Sequence, residues 1–251
     1  MFGITLSGLA LWGMRLSIAA PVAAIIAIVL YRYGVMDFRL PLLGAILGVA
    51  IASLLAVLAL LMCVIALVFS IGGSGSDSNY VLKAAIGVVL SLVMLYAPVN
   101  TLRTGMVVPP IHDISTDLDN PPQFFVVPSR RAVRDNRLGI DPKVQAQQKA
   151  YYDDIAPLYL SGAAGDNLQQ AQKMAETMGW EIVDIDASRQ QIEATATTFL
   201  FGFKDDVVIR LADDNGQTRV DMRSASRVGV SDLGANAARI RSFFAKLGSS
   251  E

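Results

Sequence analysis

Apolar positions run nearly unbroken through the first hundred residues, then give way to short helical and alternating patterns separated by turn residues. Three stretches, at about 16–33 ("LSIAAPVAAIIAIVLYRY"), 42–69 and 81–99, supply what a helix needs to cross a membrane. That need is roughly 20 mostly apolar residues whose backbone satisfies its own hydrogen bonds. Trp12, Tyr31 and Tyr33 fall at headgroup depth around the first span, and Tyr80 and Tyr96 anchor the third between Lys83 and Arg103. Arg15 interrupts the place where a cleaved leader would carry its apolar run, and two more spans follow, so the first is expected to stay. "GGSGSDSN" reads as a turn between the second and third spans.

After Val99 the texture changes. Residues 101–140 carry Pro109, Pro110, Pro121, Pro122 and Pro128 among scattered charges and read as an extended connector. A soluble domain is expected over 141–251. Asp141 with Pro142 opens a short helix, and Asp166 with Gln169 opens a second that Gly179 stops. Strands are expected at about 180–186, 191–199, 206–212 and 217–224. Asn215-Gly216 turns the last pair into a hairpin. Ser231 is expected to cap a final helix with Leu233, Ala237, Ile240, Phe244 and Leu247 on its apolar stripe and Gly248 at its end.

Alternation assigns the strand faces. Ile192, Ala194, Ala196, Val207, Ile209, Leu211, Val220 and Met222 share one parity, and Glu193, Thr195, Thr197, Arg210, Arg219, Asp221 and Arg223 the other. The fold class expected is therefore α+β: three transmembrane helices, then a two-layer domain with an antiparallel sheet of about four strands. Two helices cover its apolar face, and its far face is polar.

Composition excludes several functions. A chain 53% hydrophobic and 17% charged is too apolar for a wholly soluble protein, in keeping with the spans. Its net charge of −1 gives no basic excess, so nucleic acid is not an expected partner. One cysteine, Cys63, and one histidine, His112, cannot build a Cys/His zinc site, and no metal or other cofactor is expected. Arg15 and Lys83 against Arg32, Arg39 and Arg103 leave the membrane orientation open by charge.

Arg210, Arg219, Arg223 and Arg227 are the candidate site for a carboxylate, phosphate or lipid headgroup, because planar guanidinium groups bind oxyanions bidentately. Against this, Asp221 lies between Arg219 and Arg223, and Glu193 can lie across the sheet; mutual pairing is the favoured expectation. "HDISTD" with Asp119 offers one imidazole and three carboxylates. An extended chain points neighbours apart, so His112 and Asp113 are expected instead to hydrogen-bond the connector onto the domain. Asp153/Asp154, Asp205/Asp206 and Asp213/Asp214 are adjacent pairs whose carboxylates diverge, which suits turn and capping roles. Without a G-x-S-x-G elbow or a second histidine, no hydrolase triad is available, and the chain is not expected to be an enzyme. Phe199, Phe201 and Phe203, at alternate positions, are expected in the core.

"IEATATTFLFGFKDDVVIRL" and "TRVDMRSASRVGVSDLGANAARIRSFF", with "PPIHDISTDLDNPPQF" and "DIAPLYL" upstream, resemble the DUF1499 (domain of unknown function 1499) family over roughly residues 109–247. The resemblance implies a bacterial inner-membrane protein with an extracytoplasmic domain, and it implies no activity. The reading it completes is a binding or scaffolding module whose partners are membrane lipids and an envelope protein or anionic ligand. The alternative is a cell-envelope enzyme acting on lipid or cell-wall material. A closed pocket lined by unpaired charges would mark the enzyme, and a filled core under a flat polar sheet the module.

Overall fold

The computed structural model describes residues 5–33, 41–71, 78–139 and 141–249. The chain divides into two compact units, Met1–Arg103 and Thr104–Glu251. The first contains α1 (Leu6–Arg32), α2 (Pro41–Ile71) and most of α3 (Ser78–Val107), all three long and apolar enough to cross a membrane. α1 begins ten residues before the expected span because Thr5 Oγ1 accepts from the Gly8 N–H and caps it. The helices approach closely through small residues: Ala10, Ser17, Ala52, Ala56 and Ala59 are buried, and a side chain on Gly13 or Gly87 would collide with the Cys63 sulfur. Residues 72–77 of the expected turn, and Arg39, lie outside the described residues.

The second unit takes in 104–140, which the sequence pattern sets apart as a connector. Its elements are β1 (Asp113–Ser115), α4 (Val127–Arg130), α5 (Pro142–Tyr151), β2 (Leu158–Ser161), α6 (Ala164–Thr177), β3 (Glu181–Asp186), β4 (Gln191–Thr197), β5 (Lys204–Asp214), β6 (Gln217–Ser226) and α7 (Ala235–Gly248). The antiparallel sheet runs β1-β6-β5-β4-β3, and β2 also pairs with β6, so six strands replace the expected four or so. β1 and β2 lie along β6 at residues 223–225 and 217–220. At three and four residues they are too short for alternation to reveal them.

The expected apolar parity is the buried face. Ile192, Ala194, Ala196, Val207, Ile209, Leu211, Val220 and Met222 pack in one cluster with Leu168, Ala171 and Ala175 of α6 and Ala237, Ile240 and Leu247 of α7. Phe243, stacked on Trp180 at 5.3 Å, takes the fully buried place expected for Phe244. The hairpin closes at Asn215 and Gly216, with φ of 50° and 85° as a type I′ turn requires.

Three local expectations are corrected. Asp166 does not cap α6: Ala163 occupies the cap position, and Asp213 reaches across to accept the Ala164 N–H. Nor does Ser231 cap α7, which starts after Gly234 at φ 84° with the Asp232 carboxylate accepting from Gly234 and Asn236. Burial raises the pKa of Asp232 above the usual carboxylate range even though these two N–H groups favour its charge. Phe199 is 88% exposed in the β4–β5 turn rather than in the core, because β4 stops at Thr197.

Polarity of the far face is as the alternation predicts, but that face is not open to solvent. Glu193, Thr195, Asp206, Asp221 and Arg223 are buried. Hydrogen bonds from residues 113–138 hold the supposed connector across them, making a third layer.

Candidate functional site

Cross-strand register decides which charges meet on the far face. Arg210 lies opposite Asp221, and Arg219 is two residues before Asp221 on the same side of β6. Asp221 accepts from Arg210 Nη2 at 2.9 Å and Arg219 Nη2 at 3.1 Å. Asp117, from the covering layer, accepts from the same two groups at 3.1 and 2.9 Å. Two cations and two carboxylates thus close a ring, and Thr116 Oγ1 donates to Asp221 beneath it.

Arg223 stands apart from that ring. It pairs not with Asp221 but bidentately with Asp113, at 2.9 and 2.7 Å, and donates to the Pro122 and Leu138 carbonyls. Its guanidinium lies 5.5 Å from the Phe124 ring centre. Arg227, just past β6, is bidentate to Asp206 at 2.9 and 2.7 Å. Asp206 also accepts from Arg131 at 2.8 Å and Thr195 at 2.8 Å. The Asp206 hydrogen bond raises the pKa of Arg227, while burial lowers that of Arg131 against the pull of the same carboxylate.

Glu193 was expected opposite the arginines. It instead accepts the backbone N–H groups of Phe125, Val126 and Val127, at 2.5, 3.1 and 2.7 Å, where α4 begins. The four candidate arginines therefore occupy three separate arrangements, each matched by its own carboxylates.

Sequence reasoning missed Asp206, Arg131 and a polar cluster on the helix side of the sheet. There Asp205 pairs with Arg239, which also bonds Asn236 and Ser224. The signal was present in the Asp205-Asp206 pair: neighbours on a strand point to opposite faces, so each anchors a different layer. Asp154 of another adjacent pair meets Arg241 on the surface.

Beside the Arg223–Asp113 pair lies a cleft of about 450 Å³. Buried Gln148 lines it and exchanges two hydrogen bonds with the Ser115 backbone, at 3.0 and 2.6 Å. Leu118, Pro142 and Val144 give it an apolar wall, and exposed Arg137 also contributes to the lining. His112 fixes the covering layer through its main-chain carbonyl, which accepts from Ser226 N and Asn236 Nδ2. His112 also lines the cleft, and its Nδ1 is buried with no hydrogen-bond partner among the described residues. Asp113 fixes the same layer through its side chain. Asp117 binds arginines and accepts the Asp119 and Asn120 N–H groups. Among the described residues, no group of three or more His, Cys, Asp or Glu side chains is placed to hold a metal ion.

The sequence profile of a family described as protein of unknown function (DUF1499) matches residues 113–247, from the first residue of β1 into the last turn of α7. No curated protein matches the chain.

Proposed function

The chain belongs to the DUF1499 family, and from that premise we propose that it is a bacterial inner-membrane protein presenting a binding module outside the cytoplasm. The observation carrying this reading is the commitment of the far-face charges. Arg131, Arg210, Arg219, Arg223 and Arg227 are matched by Asp113, Asp117, Asp206 and Asp221, while Glu193 holds a backbone turn. Groups so engaged hold layers together and are poor candidates for turnover, which needs poised, available acids and bases.

The cleft is what remains for a ligand. Its apolar wall, the unpartnered His112 nitrogen and the Arg137 guanidinium suit a small anion with an apolar body. The envelope-enzyme reading draws on the same imidazole, but the hydroxyl of Ser115, a residue lining the cleft, donates to the Asp117 carbonyl. No nucleophile–base pair is formed there.

Orientation has a direct test. With three spans, a reporter fused after Glu251 and one inserted at 72–77 must report opposite sides, and the fusion after Glu251 is expected outside the cytoplasm. Protease added to intact spheroplasts should then degrade the second unit. Full protection, with degradation only after lysis, would reverse the orientation.

A further inference from the structure

The cleft beside Arg223 opens on an edge of the sheet. β1 and β2 share one side of β6, and among the described residues no further strand follows β1. An antiparallel pair uses the main-chain groups of alternate residues, and the residues between turn theirs away from the partner. The His112 carbonyl accepts from Ser226 N–H at 2.8 Å, and Thr116 N–H donates to the Met222 carbonyl at 2.9 Å, on either side of the Ile114–Ser224 pair. Asp113 and Ser115 therefore turn their N–H and C=O groups outward, away from β6.

The outward groups on both flanks of Asp113 are already taken. At Ser115 the Gln148 carboxamide accepts the N–H at 3.0 Å and donates to the C=O at 2.6 Å, as the amide of a further strand would. Upstream, Ile111 N–H donates to the Pro109 carbonyl, and the Ile111 carbonyl accepts from Asp232 N–H. Between them the Asp113 N–H and C=O have no hydrogen-bond partner among the described residues, and Asp113 and Gln148 both line the cleft. The Asp113 carboxylate is held by Arg223 and is not what the cleft offers. A main-chain donor and acceptor side by side on a sheet edge match one secondary amide. With both flanks closed, the edge accepts a single amide and not a strand of polypeptide.

We propose that the cleft binds an N-acyl amino acid. Its amide continues the ladder at Asp113, its carboxylate meets Arg137, and its acyl chain lies on Leu118, Pro142 and Val144. This binding mode rests on the cleft being the ligand site, and it names the class of anion taken there. The Asp113 N–H donates to the amide carbonyl, and the Asp113 carbonyl accepts the amide N–H. The second of these bonds separates the class from fatty acids and alkyl phosphate dianions, which bring no donor. By filling the place at Ser115, Gln148 limits the ligand to one amide.

The test uses the full-length protein in zwitterionic nanodiscs, with the imidazole signal of His112, the only histidine, as the readout of occupancy. The probes are hexanoate, N-hexanoylglycine, its ester counterpart O-hexanoylglycolate, and N-acetylleucylglycine. The ester keeps the charge, length and carbonyl but replaces the N–H donor by an oxygen that would face the Asp113 carbonyl. N-hexanoylglycine is expected to bind on the order of tenfold more tightly than the ester, as the loss of one hydrogen bond at a site built for it requires. Equal affinities of amide and ester, with hexanoate still moving the signal, would overturn the amide assignment and leave the cleft an anion site. Tighter binding of N-acetylleucylglycine than of N-hexanoylglycine would overturn it in favour of a peptide terminus. Silence toward every probe would remove the cleft as the ligand site, and the proposal with it.

Discussion

Asp206→Asn is expected to cost the second unit about 3–5 kcal/mol, read as a lowered urea midpoint for the Thr104–Glu251 fragment. Asp206 is fully buried and is the sole carboxylate partner of Arg131 and Arg227 among the described residues. The amide keeps the shape but removes the charge, leaving two guanidinium groups facing each other with little water. Arg131 is the more sensitive of the two because its side chain is only 6% exposed. A loss of this size is a large part of the roughly 5–15 kcal/mol that stabilises a domain. The surface variant Arg241→Gln sets the scale from below: its pair with Asp154 is about half exposed on both sides and should contribute under about 1 kcal/mol. Equal effects from the two variants would mean that the covering layer is not held by its charges.

Arg223→Gln is the second large effect, at about 3 kcal/mol. Its guanidinium, 2% exposed, joins Asp113 of β1 to the Pro122 and Leu138 carbonyls. Losing it leaves a carboxylate and two carbonyls short of donors and loosens the layer at both ends. The lost stability should come with faster proteolysis within 113–140. If the fragment unfolds unchanged while an anion that co-purifies with the protein is lost, Arg223 is a ligand-binding residue and not a clasp.

The sheet's inner face was legible because alternation over seven to eleven residues leaves one reading of β4, β5 and β6, and because Asn215-Gly216 fixes the register of β5 against β6. What stayed hidden was the covering layer. Its prolines point to extended chain correctly, yet nothing local says that such a chain lies on a sheet, since β1 has only three residues and its contacts join positions about a hundred apart. For the same reason Asp113 and Asp117 could not be matched to Arg223 and Arg219 beforehand. The Asp221–Arg219 contact, two residues apart on one strand face, was legible. The cap of α6 was missed because its acceptor, Asp213, comes from another part of the chain. Phe199 was misplaced because alternate spacing shows a common side only while the strand lasts.

The far-face arginines are committed to structure, and the cleft beside His112 is the place proposed for a ligand. His112 is the only histidine, so full-length protein carrying labelled histidine and no histidine tag, held in zwitterionic nanodiscs, gives one imidazole signal from the cleft. Hexanoate or hexyl phosphate is expected to move this signal saturably and hexanol to leave it unmoved, and Arg137→Gln is expected to weaken the response while Arg219→Gln leaves it in place. A signal that ignores both anions, or a response abolished by Arg219→Gln and untouched by Arg137→Gln, would rule the cleft out as the binding site.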